Sequence, residues 1–141
     1  FILQDILGKA IAIAVESHTG QINKKGDPYI LHPLRMMFKA NTMEEKIIAV
    51  LHDVIEKTDK DFDFLRNAGF SDKVILAVDA LSRRSGESYD RYIDRVAENQ
   101  LAKTIKILDL KDNICSLNID KREQKNSVQY LKYQTALNKI I

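Results

Sequence analysis

The sequence predicts an all-α fold, and three observations predict it. Apolar residues recur at three- and four-residue spacing along most of the 141 residues. Only 5 Gly and 2 Pro supply turns, too few for a sandwich or barrel. No segment shows the alternation of a half-buried strand. Hydrophobic residues at 45% and charged residues at 30% exclude an intrinsically disordered chain. Length and pattern suit a single domain over 1–141, a bundle of roughly seven to eight helices.

The first helix runs through Ile2, Leu3, Ile6, Leu7, Ala10, Ile11 and Ala14, with Gly20 beyond it as a stop. GQINKKGDP, 20–28, is a loop. Pro33 suits the first turn of a second helix through Leu34, Met37 and Phe38 to about Ala40. Thr42 and Glu45 have capping-box spacing, so a third helix starts at Met43 and carries Ile47, Ile48, Val50, Leu51, Val54 and Ile55. A short helix spans Phe62 to Ala68 and ends at Gly69. Ser71 caps the next, which runs to about Leu81, and SRRSG, 82–86, is a loop. Glu87 to about Glu98 is amphipathic through Tyr89, Tyr92, Ile93 and Val96. A long helix follows from Leu101 to about Leu117. DKREQKNS, 119–126, reads as a polar, solvated stretch before a last helix, Val128 to Ile141.

Charge and composition narrow the function. The net charge is +2, which gives no electrostatic case for a nucleic-acid or membrane-surface binder. The single cysteine, Cys115, lies on an apolar helix and reads as core; one cysteine suits a reducing compartment, hence the cytoplasm. No apolar run reaches the ~18 residues of a membrane span, and the first residues carry no basic secretory start.

The titratable residues on apolar faces carry the chemistry. His52 and Asp53 interrupt the third helix, and Glu56 shares their face. A buried charge without a partner is costly, so something positive belongs there, a divalent ion being one candidate. His32 precedes Pro33 at a helix start and suits either a ligand from a second segment or an N-cap. Asp109 lies in the apolar turn IKILDLKDNI, where a lysine salt bridge is the plain alternative. Together His32, His52, Asp53 and Asp109 offer two nitrogen and two oxygen donors, a set suited to Mn²⁺, Fe²⁺ or Zn²⁺ rather than Ca²⁺.

GQINKKGDPYILHP, AVLHDVIEKT and KILDLKDN, in that order, resemble the HD-domain phosphohydrolases, and within them the RelA/SpoT-like guanosine tetra/pentaphosphate hydrolase branch and its small stand-alone members. The resemblance covers about residues 6–118. It implies an all-helical domain that binds one metal, commonly Mn²⁺, through His32, His52, Asp53 and Asp109. It implies that Glu56 activates the attacking water, and that Lys24 and Asn113 bind a small-molecule nucleotide; Lys25, which replaces a small residue of the family, is expected beside Lys24 as a second cation for its phosphates. His18 matches a histidine with a structural role. The implied activity is removal of pyrophosphate from (p)ppGpp or a related nucleotide. The alternatives are an HD phosphohydrolase of another nucleotide or phosphoester, and a weakly catalytic, metal-containing nucleotide-binding module. No nucleic-acid or membrane partner is expected, and the oligomeric state stays open. The chain departs from the family pattern at Lys57, where a second acid is usual, at Asn23 in place of a basic residue, and at Leu110 in place of an arginine. Arg83 and Arg84 read first as a solvated loop and second as phosphate-holding cations, and Lys57 as a surface lysine or a phosphate ligand.

Overall fold

A computed structural model describes residues 3–117 and 127–141, so Ile2 and the polar stretch 119–126 lie outside the described residues. Among those described, nine helical segments follow one another: α1 Leu3–Ser17, α2 Leu31–Lys39, α3 Met43–Leu51, α4 Val54–Lys57, α5 Phe62–Asn67, α6 Asp72–Leu81, α7 Tyr89–Ala97, α8 Gln100–Ser116 and α9 Val128–Ile140. The helix starts follow side-chain chemistry. Thr42 and Glu45 form a reciprocal capping box on α3. Asp61, Ser71, Ser88, Asn99 and Ser127 each accept a backbone N–H of the turn they open.

α3 is the axis of the bundle. Ile47 to Leu51 are buried without interruption, which marks a helix covered on every side. It packs against α1, α2, α6 and α8, while α9 closes over α8 and α7. Met36, Leu65, Leu81, Ile93, Ile105 and Leu110 complete the core around it.

Two departures from the sequence expectation shape the site. The third helix does not continue through Val54 and Ile55 as one rod. It ends at Leu51, and Asp53, at φ −106° and ψ 1°, caps the separate turn α4. The apolar pattern runs on across this break, because Val54 is as fully buried as Leu51. Counted across it, α3 and α4 are one bent helix, which gives the eight-helix upper count.

The 20–28 loop is the second. Asn23 Oδ1 accepts the backbone N–H groups of Lys25, at 2.9 Å, and Asp27, at 3.0 Å. Gly26 takes φ +87° to donate back to the Asn23 carbonyl, and Ile22 and Pro28 close the turn as a single antiparallel bridge. Asn23, where the resemblance leads one to expect a basic residue, therefore builds the turn. No described helix is long and apolar enough to cross a membrane.

Candidate active site

Three segments deliver the donors: His32, His52 and Asp109 form one cluster, and Asp53 joins it beside His52. His32 comes from the first turn of α2, His52 and Asp53 from the α3–α4 break, and Asp109 from the middle of α8. His32 Nε2 lies 2.7 Å from Asp109 Oδ1, and His52 Nε2 lies 3.6 Å from that same oxygen. Asp53 Oδ2 lies 3.1 Å from His52 Nε2. Neighbours on a regular helix diverge by about 100°; the break at residues 52 and 53 lets the pair converge instead. All four side chains are buried.

The outer atoms of the two rings are fixed. His52 Nδ1 donates to the Ala49 carbonyl at 2.7 Å. His32 Nδ1 lies 2.6 Å from Asp112 Oδ2, whose carboxylate also takes two hydrogen bonds from Arg35, at 2.9 and 3.0 Å. Each ring thus carries its proton on Nδ1 and turns Nε2 toward the carboxylates. A neutral imidazole would then face an acceptor with its own lone pair, so the arrangement calls for a positive charge, a proton or a metal. The His32, His52 and Asp109 donor atoms all lie within 4.8 Å of one another. Two nitrogens and one carboxylate oxygen are a donor set for a divalent cation, and Asp53, beside His52, supplies the second negative charge that would neutralise it.

Electrostatics agree with that. Burial pushes His52 down, but the Asp53 charge and bonds to Asp109 and Asp53 outweigh it and lift it to about 10. Burial likewise lowers His32, and Asp109 and Asp112 reverse it into a net rise. Burial raises Asp109, yet Lys106 and the two histidines hold it well below the usual carboxylate range. Asp53 is held down the same way, chiefly by His52.

Sequence reasoning missed three partners of this centre. The Tyr29 hydroxyl donates to Asp53 Oδ2. Lys106, buried, donates to Asp109 Oδ2 at 2.7 Å, which leaves Oδ1 facing the histidines. Asp112 orients His32 and is itself 2% exposed. A signal existed for the last two. Lys106, Asp109 and Asp112 recur at three-residue spacing on one face of α8. The lysine salt bridge and the donor role therefore coexist on Asp109's two oxygens.

A cleft of about 210 Å³ opens over the donors. Glu56 lines it, and its Oε1 accepts the backbone N–H of Arg83 at 2.7 Å. Asn113 lines it too and donates to Asp109 Oδ1 at 3.3 Å. Lys24 and Lys25 do not: both are exposed at the 20–28 turn, whose geometry Asn23 dictates. The basic wall is instead Lys57, Arg83, Lys106 and Lys132. Arg83 is therefore no bystander of a solvated loop, whereas Arg84 reaches Asp79 at 3.5 Å, outside the cleft. His18 is buried, with Nδ1 2.9 Å from Gln21 Oε1 and Nε2 without a hydrogen-bond partner among the described residues. Cys115 is exposed and not core; α8 turns that position outward.

The fold has a solved counterpart. Over 96% of its length the chain matches a structure described as a metazoan ortholog of SpoT that hydrolyses ppGpp, with a TM-score of 0.73, 20% identity and 93% of that chain covered. The chain is therefore an HD-type all-α domain. By sequence it is 28% identical over 132 residues to the guanosine-3′,5′-bis(diphosphate) 3′-pyrophosphohydrolase of Aquifex aeolicus (strain VF5), across 85% of this chain and 19% of that protein. It is 30% identical over 130 residues to the GTP pyrophosphokinase of Streptomyces antibioticus, across 83% of this chain and 15% of that protein. The chain thus spans less than a fifth of the length of these curated relatives. No protein-family model matches it. Its relatives are nonetheless the RelA/SpoT-like proteins that its three motifs resemble.

Proposed function

We propose that this chain is a divalent-metal-dependent pyrophosphohydrolase that removes the 3′-pyrophosphate of guanosine-3′,5′-bis(diphosphate), with Mn²⁺ as its metal and the cytoplasm as its compartment. The observation that carries this reading is the inward convergence of His32, His52, Asp53 and Asp109 beneath a cleft walled by lysines and arginine. Two relatives' names give the substrate class: one hydrolyses this nucleotide's 3′-pyrophosphate, and the solved counterpart hydrolyses ppGpp.

When bound, the metal would supply Lewis acidity toward water and toward a phosphoryl oxygen. The chain's own residues do the rest. His32, His52, Asp53 and Asp109 hold that charge in place, and Lys106 keeps Asp109 turned toward it. Lys57 and Arg83 draw the anionic substrate into the cleft as cations. Glu56 is fixed by the Arg83 backbone and takes a proton from the attacking water. Water oxygen bonds to the phosphorus next to O3′, the O3′–P bond breaks, and O3′ takes up a proton. The products are the nucleoside 5′-diphosphate and pyrophosphate. Asn113 borders the donors and offers an amide to the nucleotide.

The experiment is a panel of nucleotides with added Mn²⁺, read by chromatography of the products. Release of pyrophosphate from guanosine-3′,5′-bis(diphosphate) by wild type, abolished by chelation, is expected. Turnover confined to other phosphoesters would replace the substrate, and no turnover of any member would remove the enzyme reading.

A further inference from the structure

Four cations from four separate segments line the cleft, and they are not alike. Lys106 is committed to Asp109 at 2.7 Å. Lys57 leans toward Asp53, 3.9 Å from Oδ2, with its ammonium over the Tyr29 ring. Lys132 and Arg83 have no such partner: among the described residues, no carboxylate lies within ion-pair distance of either. The Arg83 guanidinium reaches a backbone carbonyl, that of Glu87, at 3.4 Å. Both cations gather on one aromatic ring. Lys132 Nζ is 4.3 Å from the centre of Tyr89, and Arg83 Cζ is 5.4 Å from it.

We propose that Lys132 and Arg83, gathered around Tyr89, form a second phosphate subsite in this cleft, which holds the phosphate group of the nucleotide that is not being cleaved. The inference rests on the pyrophosphohydrolase reading and deepens it: the second phosphate group of that nucleotide gains its own residues in the cleft. Lys106 adjoins both subsites. Its Nζ touches Asp109 and lies 6.0 Å from the Tyr89 ring centre. A nucleotide with one diphosphate over the metal donors and another on Lys132 would span the cleft.

Two contrasts support this. Lys139, two turns beyond Lys132 on α9, is neutralised by Asp90 and Asp94, each at 2.7 Å, so α9 pairs a basic residue where acids are at hand. At Lys132 the neighbours are cations. Burial, then Arg83 and Lys106, push its ammonium below the ordinary lysine range. Like charges held together relax when an anion binds between them. Lys132 also lies beyond residues 6–118, the stretch that carries the family motifs.

The first test uses the Mn²⁺-loaded protein and two substrates, guanosine-3′,5′-bis(diphosphate) and guanosine 3′-diphosphate. Wild type should show a lower KM for the doubly phosphorylated nucleotide. Lys132→Ala should shrink that KM advantage by about tenfold, the size of one charge-assisted hydrogen bond, while Lys132→Arg keeps most of it. An unchanged KM ratio in Lys132→Ala overturns the subsite. The second test does not depend on turnover. Inorganic pyrophosphate is titrated calorimetrically into the metal-free protein, its Lys132→Ala and Arg83→Ala variants, and Asp53→Ala. Weakening of about tenfold in the first two variants, with binding kept in Asp53→Ala, supports the subsite even if the nucleotide substrate is another. Equal binding in wild type, Lys132→Ala and Arg83→Ala overturns it, whatever the enzyme hydrolyses.

Discussion

Nε2 of His32 and Oδ1 of Asp109, 77 residues apart in sequence, face each other at 2.7 Å in the centre of the bundle. The contact is decided one shell out. Asp112 takes the Nδ1 proton of His32, and Lys106 takes the other oxygen of Asp109. Both inner atoms are thereby left turned toward a shared cation.

Asp112 should accordingly govern metal affinity without touching the metal. An amide at that position still accepts the Nδ1 proton but lacks the charge that raises imidazole basicity. Asp112→Asn should weaken Mn²⁺ binding by about tenfold, within the range for outer-shell partners of metal-bound histidines. Competition against a chromophoric chelator measures it. Equal affinity in the two proteins would mean that Asp112 serves only Arg35.

Metal loading should release protons. His52 is lifted to about 10, above its ordinary 6.5. Its imidazolium pairing therefore stabilises the metal-free fold in full below pH 6.5, and that contribution is lost as pH rises through about 10. A metal needs the neutral ring, so affinity should climb with pH over that window. Calorimetry at about pH 7.5 in buffers of different ionisation enthalpy should show roughly one proton released per metal. Proton-neutral binding would take His52 out of the ligand set.

Asp53→Ala should remove the metal and spare the fold. Its carboxylate lines the cleft, and the change leaves the buried core residues Ile47, Ile48, Val50 and Leu51 intact. The helical circular-dichroism signal should persist, and elemental analysis should find no stoichiometric metal. A full complement of metal in Asp53→Ala would contradict the assignment.

Much of this was legible in the sequence, and what was not has a physical reason. Apolar spacing located the helices, and Thr42 and Ser71 located two of their starts, because caps and periodicity are local. His32, His52, Asp53 and Asp109 stood out as polar groups on faces that must be buried. The break at His52 and Asp53 was hidden, since Val54 and Ile55 continue the apolar period across it. Lys24 matched a motif and Lys25 stood beside it, but whether a lysine enters a cleft depends on the turn, and Asn23 sets that turn. Tyr29 and Lys132 reach the site only through tertiary packing of the loop before α2 and of α9.

Glu56 should separate binding from chemistry. It completes no ligand set, yet lines the cleft with one oxygen anchored on the Arg83 backbone. Glu56→Gln keeps the shape and loses the base. It should retain metal and lose hydrolysis by ~10²-fold or more, the size of a lost general base. Equal turnover numbers, measured at saturating nucleotide, would exclude Glu56 from proton transfer.

Lys57 bears on how fast the site works. Its side chain is 44% exposed, and its Nζ lies 3.9 Å from Asp53 Oδ2 and 4.6 Å from the Tyr29 ring centre. Gln21 holds the Lys57 carbonyl at 2.9 Å, so the backbone there is fixed and the side chain alone decides the effect. A lysine at this place offsets the negative charge of Asp53 in the cleft where the attacking water must give up a proton. It also attracts a phosphate. Replacing it with an acid reverses both effects. Lys57→Asp should therefore raise the Mn²⁺-dependent kcat for guanosine-3′,5′-bis(diphosphate) and raise KM with it. Half-exposure and screening limit the change to about tenfold in either constant. Wild type and variant assayed side by side give the answer. Fast hydrolysis by wild type, unchanged or lower in Lys57→Asp, would show that a lysine beside Asp53 is compatible with full activity and that its charge serves substrate binding alone.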